Sequence, residues 1–463
     1  MGAARFSPRL FWLILADAAL LYAGVIVAMY VRLGFSGSEN ELNAKNGWLK
    51  IGLASALCML IFYFYDLYDY VVMTNRRELL LRLVQSLGIA WVLLAIAFYF
   101  APPLLIGRGV SVISVPLILG LLLGWRVFIH SLTGHPEIGE KILVVGTGQT
   151  ALDTAEAVWE RRDAGYRIAG FISENGAKPM QKLGQSVILG KGPDLENVIR
   201  TEKIDRVVIA VRERRGAFPT EALLKMSLAG DVSIEECTSF FERITGKVHV
   251  DMLRPSWLIF AGRRRDSPIR AIFREAIHRG LALVGLVLSL PVATLAAIAV
   301  RLDSRGPIFY KQERVGKNGK IFKVIKFRSM KENAEADGTP IWAASNDERV
   351  TRVGKIIRKL RIDEIPQFWN ILKGEMNFVG PRPERPHFVR QLATEISYYE
   401  HRHLVAPGLT GWAQIKYPYG ASVDDAIQKL QYDLYYIKNQ SLTLDLVIVF
   451  ETVKTVLFGR GGR

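Results

Sequence analysis

Two adjacent carboxylates, Asp363 and Glu364, stand within RKLRIDEIPQFWNILKGEMNFVGPRPERP, the segment from Arg358 to Pro386. Arg358, Arg361, Arg382 and Arg385 lie close to them in sequence. A guanidinium offers a planar fork of donors that matches phosphate oxygens, so arginines around a carboxylate suit a site that holds phosphates near an anionic nucleophile. A plainer assignment stays open, because acids favour the first turn of a helix and Pro366 suits its first position. Lys326 and Arg328, in KFRSM, are further phosphate-binding candidates, although a basic face beside anionic lipid explains them as well. A different chemistry is suggested by Gly146-Thr147-Gly148-Gln149-Thr150-Ala151, which follows the β-like run Ile142 to Val145. Those glycines would let a pyrophosphate approach a helix N-terminus, with Glu174 the nearest candidate for a ribose-binding acid. A lone glycine turn is a weak signal, and a structural or regulatory Rossmann-like domain is the expectation.

The elements that must position these groups begin with four apolar stretches, Leu10 to Val31, Ile51 to Tyr65, Leu83 to Phe100 and Val110 to Ile129. A helix needs ~20 apolar residues to cross a bilayer, so four spans are expected in residues 1–135. Arg5, Arg9, Arg76, Arg77, Arg82 and Arg126 mark one side of this bundle, against Arg32, Lys45, Lys50 and Arg108 on the other, which places both of its ends inside. Asp17, inside the first span, is given no role. Strand-like runs at Ile168 to Ile172 and Arg206 to Val211, alternating with helical segments, predict a Rossmann-like α/β domain over 136–250. A basic linker, 251–269, leads to the apolar segment Gly280 to Val300, whose flanks are strongly basic at both ends. Matching basic flanks place both ends on the cytoplasmic side, and Pro291 at the midpoint removes a backbone donor. The expectation is a re-entrant membrane helix over about 280–300, bent at Pro291, preceding a mainly α catalytic region within 270–463. In that region Lys317-Asn318-Gly319-Lys320 lies between two β-like runs and reads as a hairpin with a basic face. Leu442 to Phe458 reads either as an interfacial helix or as an ordinary packed one.

Composition bounds the alternatives. Half of the 463 residues are hydrophobic, yet Lys and Arg outnumber Asp and Glu by 60 to 44, which suits a protein partly in lipid with basic faces at its surface. The charge clusters beside apolar segments and no recognition motif is visible, so nucleic acid is not an expected partner. With only Cys58 and Cys237, no disulfide framework is suggested.

KQERVGKNGKIFKVIKFRSM, DEIPQFWNILKGEMNFVGPRPERP, APGLTGWAQIKYPYGAS and KLQYDLYYIKNQSLTLDL, occurring in that order, closely resemble the polyprenyl-phosphate hexose-1-phosphate transferases. The preceding spans and α/β domain resemble the large monotopic phosphoglycosyl transferases, and GKVHVDMLRPSWLIFAG resembles their exopolysaccharide-system branch. The resemblance implies that Asp363 is the nucleophile, that Glu364 helps hold Mg²⁺, and that Arg358 and Arg382 bind phosphate. It implies a UDP-sugar donor, with glucose or galactose as its sugar, undecaprenyl phosphate as acceptor, and release of UMP. It also implies a bacterial inner-membrane location with the catalytic domain on the cytoplasmic face. Family members often place a serine directly before the re-entrant proline, whereas Leu290 here separates Ser289 from Pro291. A nucleotide-sugar dehydratase would need a Tyr-x-x-x-Lys helix, and residues 151–250 contain none. The proposed catalytic groups all follow residue 270, so the α/β domain is expected to be dispensable for chemistry. Oligomeric state is not legible in these motifs, a homodimer being one arrangement left open.

Overall fold

The structure is a computed structural model that describes residues 8–68, 76–104, 107–133, 140–161, 165–173, 182–211, 223–224, 226–227, 232–250, 268–331, 349–417, 420 and 422–457. Glu174 and nearly all of the basic linker lie outside the described residues. The chain divides into two compact units, the first covering residues 5–235 and the second residues 236–463.

The first unit opens with four helices that follow the four apolar stretches: α1 (Pro8–Glu39), α2 (Gly47–Phe64), α3 (Arg76–Phe100) and α4 (Arg108–Thr133). Each is long and apolar enough to cross a membrane by length and composition. α1 is interrupted at Gly34, whose φ of 70° a side chain would disfavour. Leu21, Phe62, Leu83 and Leu122 form part of the buried seam between these helices. Arg126 does not flank the bundle as its sequence position suggests. It is buried within α4, where it pairs with Asp17 of α1 at 2.5 Å and donates to the Leu67 carbonyl. A charge inside an apolar bundle needs such a partner, because an unpaired one would lose its hydration without compensation. The charge count that oriented the bundle therefore loses one of its members.

Further along the same unit, six strands form one sheet in the order β3-β4-β2-β1-β5-β6. They are β1 (Glu140–Val145), β2 (Tyr166–Ser173), β3 (Lys182–Leu183), β4 (Ser186–Lys191), β5 (Arg206–Ile209) and β6 (Ser233–Glu236). β1 runs parallel to both β2 and β5, and β2 parallel to β4, while β3 is antiparallel to β4. Ile142 through Val145 are all buried, as expected of a central strand covered on both faces. Gly146 turns out of β1 with φ 125°, and a Cβ there would sit 3.2 Å from the Ala210 carbonyl carbon. The expected strand, glycine turn and helix, α5 (Gln149–Glu160), are present, as are two further helices, α6 (Leu195–Glu202) and α7 (Cys237–Thr245).

The expected domain boundary near Val250 needs correction, because α7 and the residues after it pack into the second unit. Val248 and Val250 join a core formed by Val379, Tyr399, Trp412, Leu434, Tyr436 and Ile448. Trp412 Nε1 donates to the Gly246 carbonyl at 2.7 Å, and Glu242 pairs with Lys438 at 2.7 Å. The rest of this unit comprises α8 (Pro268–Asp303), the antiparallel hairpin β7 (Phe309–Val315) and β8 (Ile321–Phe327), α9 (Arg352–Lys359), α10 (Gln367–Leu372), β9 (Asn377–Val379), α11 (Pro386–Glu395), β10 (Gly408–Thr410), α12 (Trp412–Lys416), α13 (Val423–Asn439) and α14 (Leu442–Leu457). The hairpin turns where the sequence places it, with Asn318 at φ 55° and Gly319 at φ 76°, the paired left-handed residues of a tight I′ turn. α14 packs one face on the unit and leaves an apolar face exposed. Asp445, Ile448 and Lys454 face the protein, while Leu446, Phe450 and Val453 form an exposed apolar stripe.

α8 is helical throughout its 36 residues, with Pro291 inside it. Ser289 Oγ donates to the Leu286 carbonyl and Thr294 Oγ1 to that of Leu290, so hydroxyls bracket the position where proline lacks a donor. Both halves of α8 pack on the same unit. Ala282 is buried with Ile371 and Met376, and a Cβ on Gly285 would meet Phe368. Beyond the proline, Ala296 and Val300 are buried with Phe327 and Ile357. Between these contacts Leu288 is 75% exposed and Leu295 68%.

The packing of residues 237–250 sets an expected outcome for truncation. Full burial of one valine side chain is worth roughly 1.5–3 kcal/mol, against a total domain stability of roughly 5–15 kcal/mol. A fragment of residues 263–463 should therefore melt well below one of residues 236–463, as measured by thermal unfolding in the same detergent. Equal melting temperatures would contradict the revised boundary.

Candidate active site

The dyad sits on a short 3-10 turn, Ile362–Glu364, between α9 and α10. α9 is capped by Thr351, whose Oγ1 accepts from the Gly354 amide at 2.9 Å. The chain then reverses at Arg361, which adopts the left-handed conformation with φ 57°. Ile362 and Ile365 pack against the apolar cluster of Ala296, Val300, Phe327 and Ile357 at the end of α8. With these isoleucines held against α8, the intervening Asp363 and Glu364 are only 7% and 8% exposed.

Glu364 is held by three cations. Its Oε1 accepts from Lys326 Nζ at 2.9 Å and from Arg382 Nη2 at 3.0 Å, and lies 3.7 Å from Arg361 Nη1. Burial works to raise its pKa, but Lys326, Arg382 and Arg361 outweigh that and hold the carboxyl well below the ordinary carboxylate range. Asp363 differs. Among the described residues no hydrogen bond or ion pair claims its carboxylate, and burial, with Glu364 as a like-charged neighbour, raises its pKa against the lowering influence of Lys326, Arg361 and Arg358. Lys326 in turn has its pKa lowered by burial, against the pull of Glu364.

The structure thus brings together five of the groups singled out in the sequence: Asp363, Glu364, Lys326, Arg382 and, through its charge on Asp363, Arg358. Arg328 is placed elsewhere. Its Nη2 donates to the Ser304 carbonyl at 2.6 Å and to Ser304 Oγ at 2.9 Å, tying the hairpin to the C-terminal end of α8. The end of the strand gives the reason: β8 stops at Phe327, so the alternation that would put Arg328 on the face of Lys326 no longer applies. Pro291 lies inside α8, with no place among the dyad's partners.

One positioning residue was not found by sequence. Asn370 is fully buried on α10, where Oδ1 accepts from the Ile325 amide at 3.1 Å and Nδ2 donates to the Lys323 carbonyl at 2.8 Å. It fixes β8 on either side of Val324, next to Lys326. An asparagine in an otherwise apolar helical stretch was the available signal. Arg361 was seen only as one of several nearby arginines, and its left-handed backbone has no sequence signature.

Among the described residues no group of three or more His, Cys, Asp or Glu side chains could hold a metal ion by itself. The donor types nonetheless fit Mg²⁺, which commonly binds through one or two carboxylates and completes its shell with water and substrate phosphate oxygens. Asp363 and the second oxygen of Glu364 are the carboxylate donors that the three cations leave over.

Residues 269–459 match the bacterial sugar transferase family, and residues 64–217 match a CoA-binding domain family. An exopolysaccharide production protein PSS from Rhizobium leguminosarum bv. phaseoli is 38% identical over 194 residues, covering 40% of this chain and 96% of that protein. The chain belongs to the bacterial sugar transferase family. An Aeromonas hydrophila protein named UDP-N-acetylgalactosamine-undecaprenyl-phosphate N-acetylgalactosaminephosphotransferase is 42% identical over 271 residues, 58% of this chain. An undecaprenyl-phosphate glucose phosphotransferase from Komagataeibacter xylinus is 32% identical over 345 residues, 72% of this chain. The matches span 62% of the length of each of these two relatives. The family match begins within the first turn of α8 and so omits the Val248 and Val250 contacts.

The opposed charges on Asp363 set a titration. A carboxyl with a raised pKa takes up its proton at a higher pH than the ordinary 3.8. Carbodiimide labelling of Asp363, read by peptide mass spectrometry across pH, should give a midpoint above that value. Lys326 lowers the Asp363 pKa, so Lys326→Gln should move the midpoint further upward, and a downward move would contradict this electrostatic arrangement.

Proposed function

We propose that the chain transfers a hexose 1-phosphate from a UDP-sugar to undecaprenyl phosphate, with Asp363 as covalent nucleophile, and so begins a surface glycan such as an exopolysaccharide. The observation that carries this reading is the unequal treatment of two neighbouring carboxylates: Glu364 is bound by Lys326, Arg382 and Arg361, while Asp363 is buried beside the same cations with no hydrogen bond or ion pair to its carboxylate among the described residues. The relatives' names supply the substrate class, for both N-acetylgalactosamine and glucose.

In the first step an Asp363 oxygen attacks the β-phosphorus of the UDP-sugar, and the bond from that phosphorus to the bridging oxygen breaks, so UMP leaves with the electron pair. In the second, an oxygen of the lipid phosphate attacks the same phosphorus and displaces the Asp363 carboxylate, giving a polyprenyl diphosphate sugar. Arg382, Arg358 and Lys326 neutralise charge that spreads over the phosphate oxygens, and burial of the dyad keeps competing water away. Glu364 holds Arg382 and Lys326 in place and is the candidate ligand for Mg²⁺, which when bound would offset charge on the diphosphate.

α8 is the element on which the proposed membrane arrangement rests. Its two halves contact the same catalytic unit, and exposed apolar residues run along its length from Ile272 to Leu302. A transverse crossing would carry the unit's buried polar dyad toward the hydrocarbon, whereas a helix that enters and returns keeps the dyad at the cytoplasmic surface of the inner membrane, where the lipid phosphate lies. The matching basic flanks of α8 support re-entrance, while the helix itself runs unbroken through Pro291.

Purified full-length protein with undecaprenyl phosphate and a panel of UDP-sugars should release UMP with at least one donor. Asp363→Asn should reduce the rate by ~10³-fold or more, since an amide is a poor nucleophile. Near-normal turnover by that variant, with deamidation excluded, would remove Asp363 from its role. For the membrane arrangement, a single cysteine at Asn318, in a chain lacking the two buried cysteines Cys58 and Cys237, should resist an impermeant thiol reagent added outside intact cells. Labelling from outside would show that α8 crosses.

A further inference from the structure

The loop that carries Arg382, residues 379–384, is fixed to an unusual degree through its backbone. The Val379 carbonyl accepts from Tyr436, the Pro381 carbonyl from the Gly408 amide, the Pro383 carbonyl from Arg314 and the Glu384 carbonyl from the Val315 amide. The carbonyl of Arg382 itself accepts from Arg402 Nη2 at 3.0 Å. Arg402 is buried, its Nη1 donates to the Tyr399 hydroxyl at 2.6 Å, and its Nη2 also lies 2.9 Å from Asp433, which is buried in turn. An arginine sequestered with a carboxylate in a protein interior is weak evidence for stability, since both charges have lost their hydration. What this one does is touch the backbone of the residue whose guanidinium holds Glu364.

We propose that Arg402 is a positioning residue for the transfer: with Asp433 it holds the Arg382 carbonyl, and thereby aims the Arg382 guanidinium at Glu364 and at the donor's diphosphate. This rests on the transferase function proposed above. The planar fork of an arginine can serve Tyr399, Asp433 and the Arg382 carbonyl together, which the single ammonium of a lysine cannot do in the same geometry. The titratable groups facing Arg402 are Asp433 and Lys429 from α13, Glu384 from the Arg382 loop, and Tyr399 and His403 from its own turn. Burial pushes the Asp433 carboxyl up to about 6, against the pull of Arg402. The Arg402 support therefore weakens as pH falls through that value and Asp433 takes up a proton.

The test is a double-mutant cycle on the full-length protein in nanodiscs, with UMP release read as kcat/KM for the best UDP-sugar. Arg402→Lys should lower kcat/KM about a hundred-fold in the native background, the scale expected of a misplaced binding group. In an Arg382→Ala background the same change should cost nothing further, because the group it positions is gone. Asp433→Asn provides a second arm with the same expectation, should Arg402→Lys fail to fold. Wild-type kcat/KM in a folded variant, or equal losses in both backgrounds, would overturn the positioning role. Failure of the wild-type chain to release UMP from any UDP-sugar is a separate result, which would overturn the transferase reading and this proposal with it.

Discussion

The structure of the catalytic unit depends on a concentration of positive charge around one carboxylate. Lys326 comes from the hairpin, Arg361 from the left-handed turn after α9, and Arg382 from the loop after β9, and all three converge on Glu364. Three cations brought close together repel one another, and the half-burial of their side chains leaves that repulsion only partly screened. Glu364 relieves it and in return is kept ionised. Asp363 shares this field, and among the described residues no hydrogen bond or ion pair holds its carboxylate, which suits the nucleophilic role proposed for it.

For the proposed transfer that arrangement would have to be held at a particular height relative to a lipid phosphate, and α8 is the helix on which it packs. Ile362 and Ile365, on either side of the dyad, pack on the residues after Pro291, while Phe368 and Ile371 of α10 pack on the residues before it. The dyad is therefore clamped to both halves of the most apolar helix in the unit. Small residues at the contacts, Ala282, Gly285, Ala296 and Ala297, allow the close approach, and the large ones, Leu288, Leu290 and Leu295, face away. The exposed stripe of α14 adds a second apolar surface to the same unit.

Much of this was legible in the sequence because it rests on local chemistry. The Asn318-Gly319 turn, the apolar stretches and the glycine turn after β1 are short-range signals, and each element formed where it was expected. The dyad and its cations were found as residue types in one segment, with Lys326 added from another. What escaped were consequences of long-range packing. Arg126 looked like a flanking charge until its partner Asp17 proved to lie on a helix 109 residues away. Arg328 looked equivalent to Lys326, but the end of the strand turns it to Ser304. The α/β domain seemed to continue to Val250, since nothing local marks that Val248 and Val250 bury against residues nearly two hundred positions later. Asn370 and Arg402 act through backbone carbonyls, which leave no pattern in side-chain order.

The most direct measurement for the central claim is the chemical identity of the species formed when the full-length protein meets its donor without the lipid acceptor. Incubation with a UDP-sugar isotopically labelled in the sugar, followed by acid quench and peptide mass spectrometry, should find the mass of a labelled hexose phosphate on the peptide containing Asp363, with fragmentation placing it on that residue. An adduct located on Glu364 or on any other side chain would contradict the division of roles between the two carboxylates. Transfer to lipid at full rate with no trapped adduct under any quench would contradict the covalent mechanism itself.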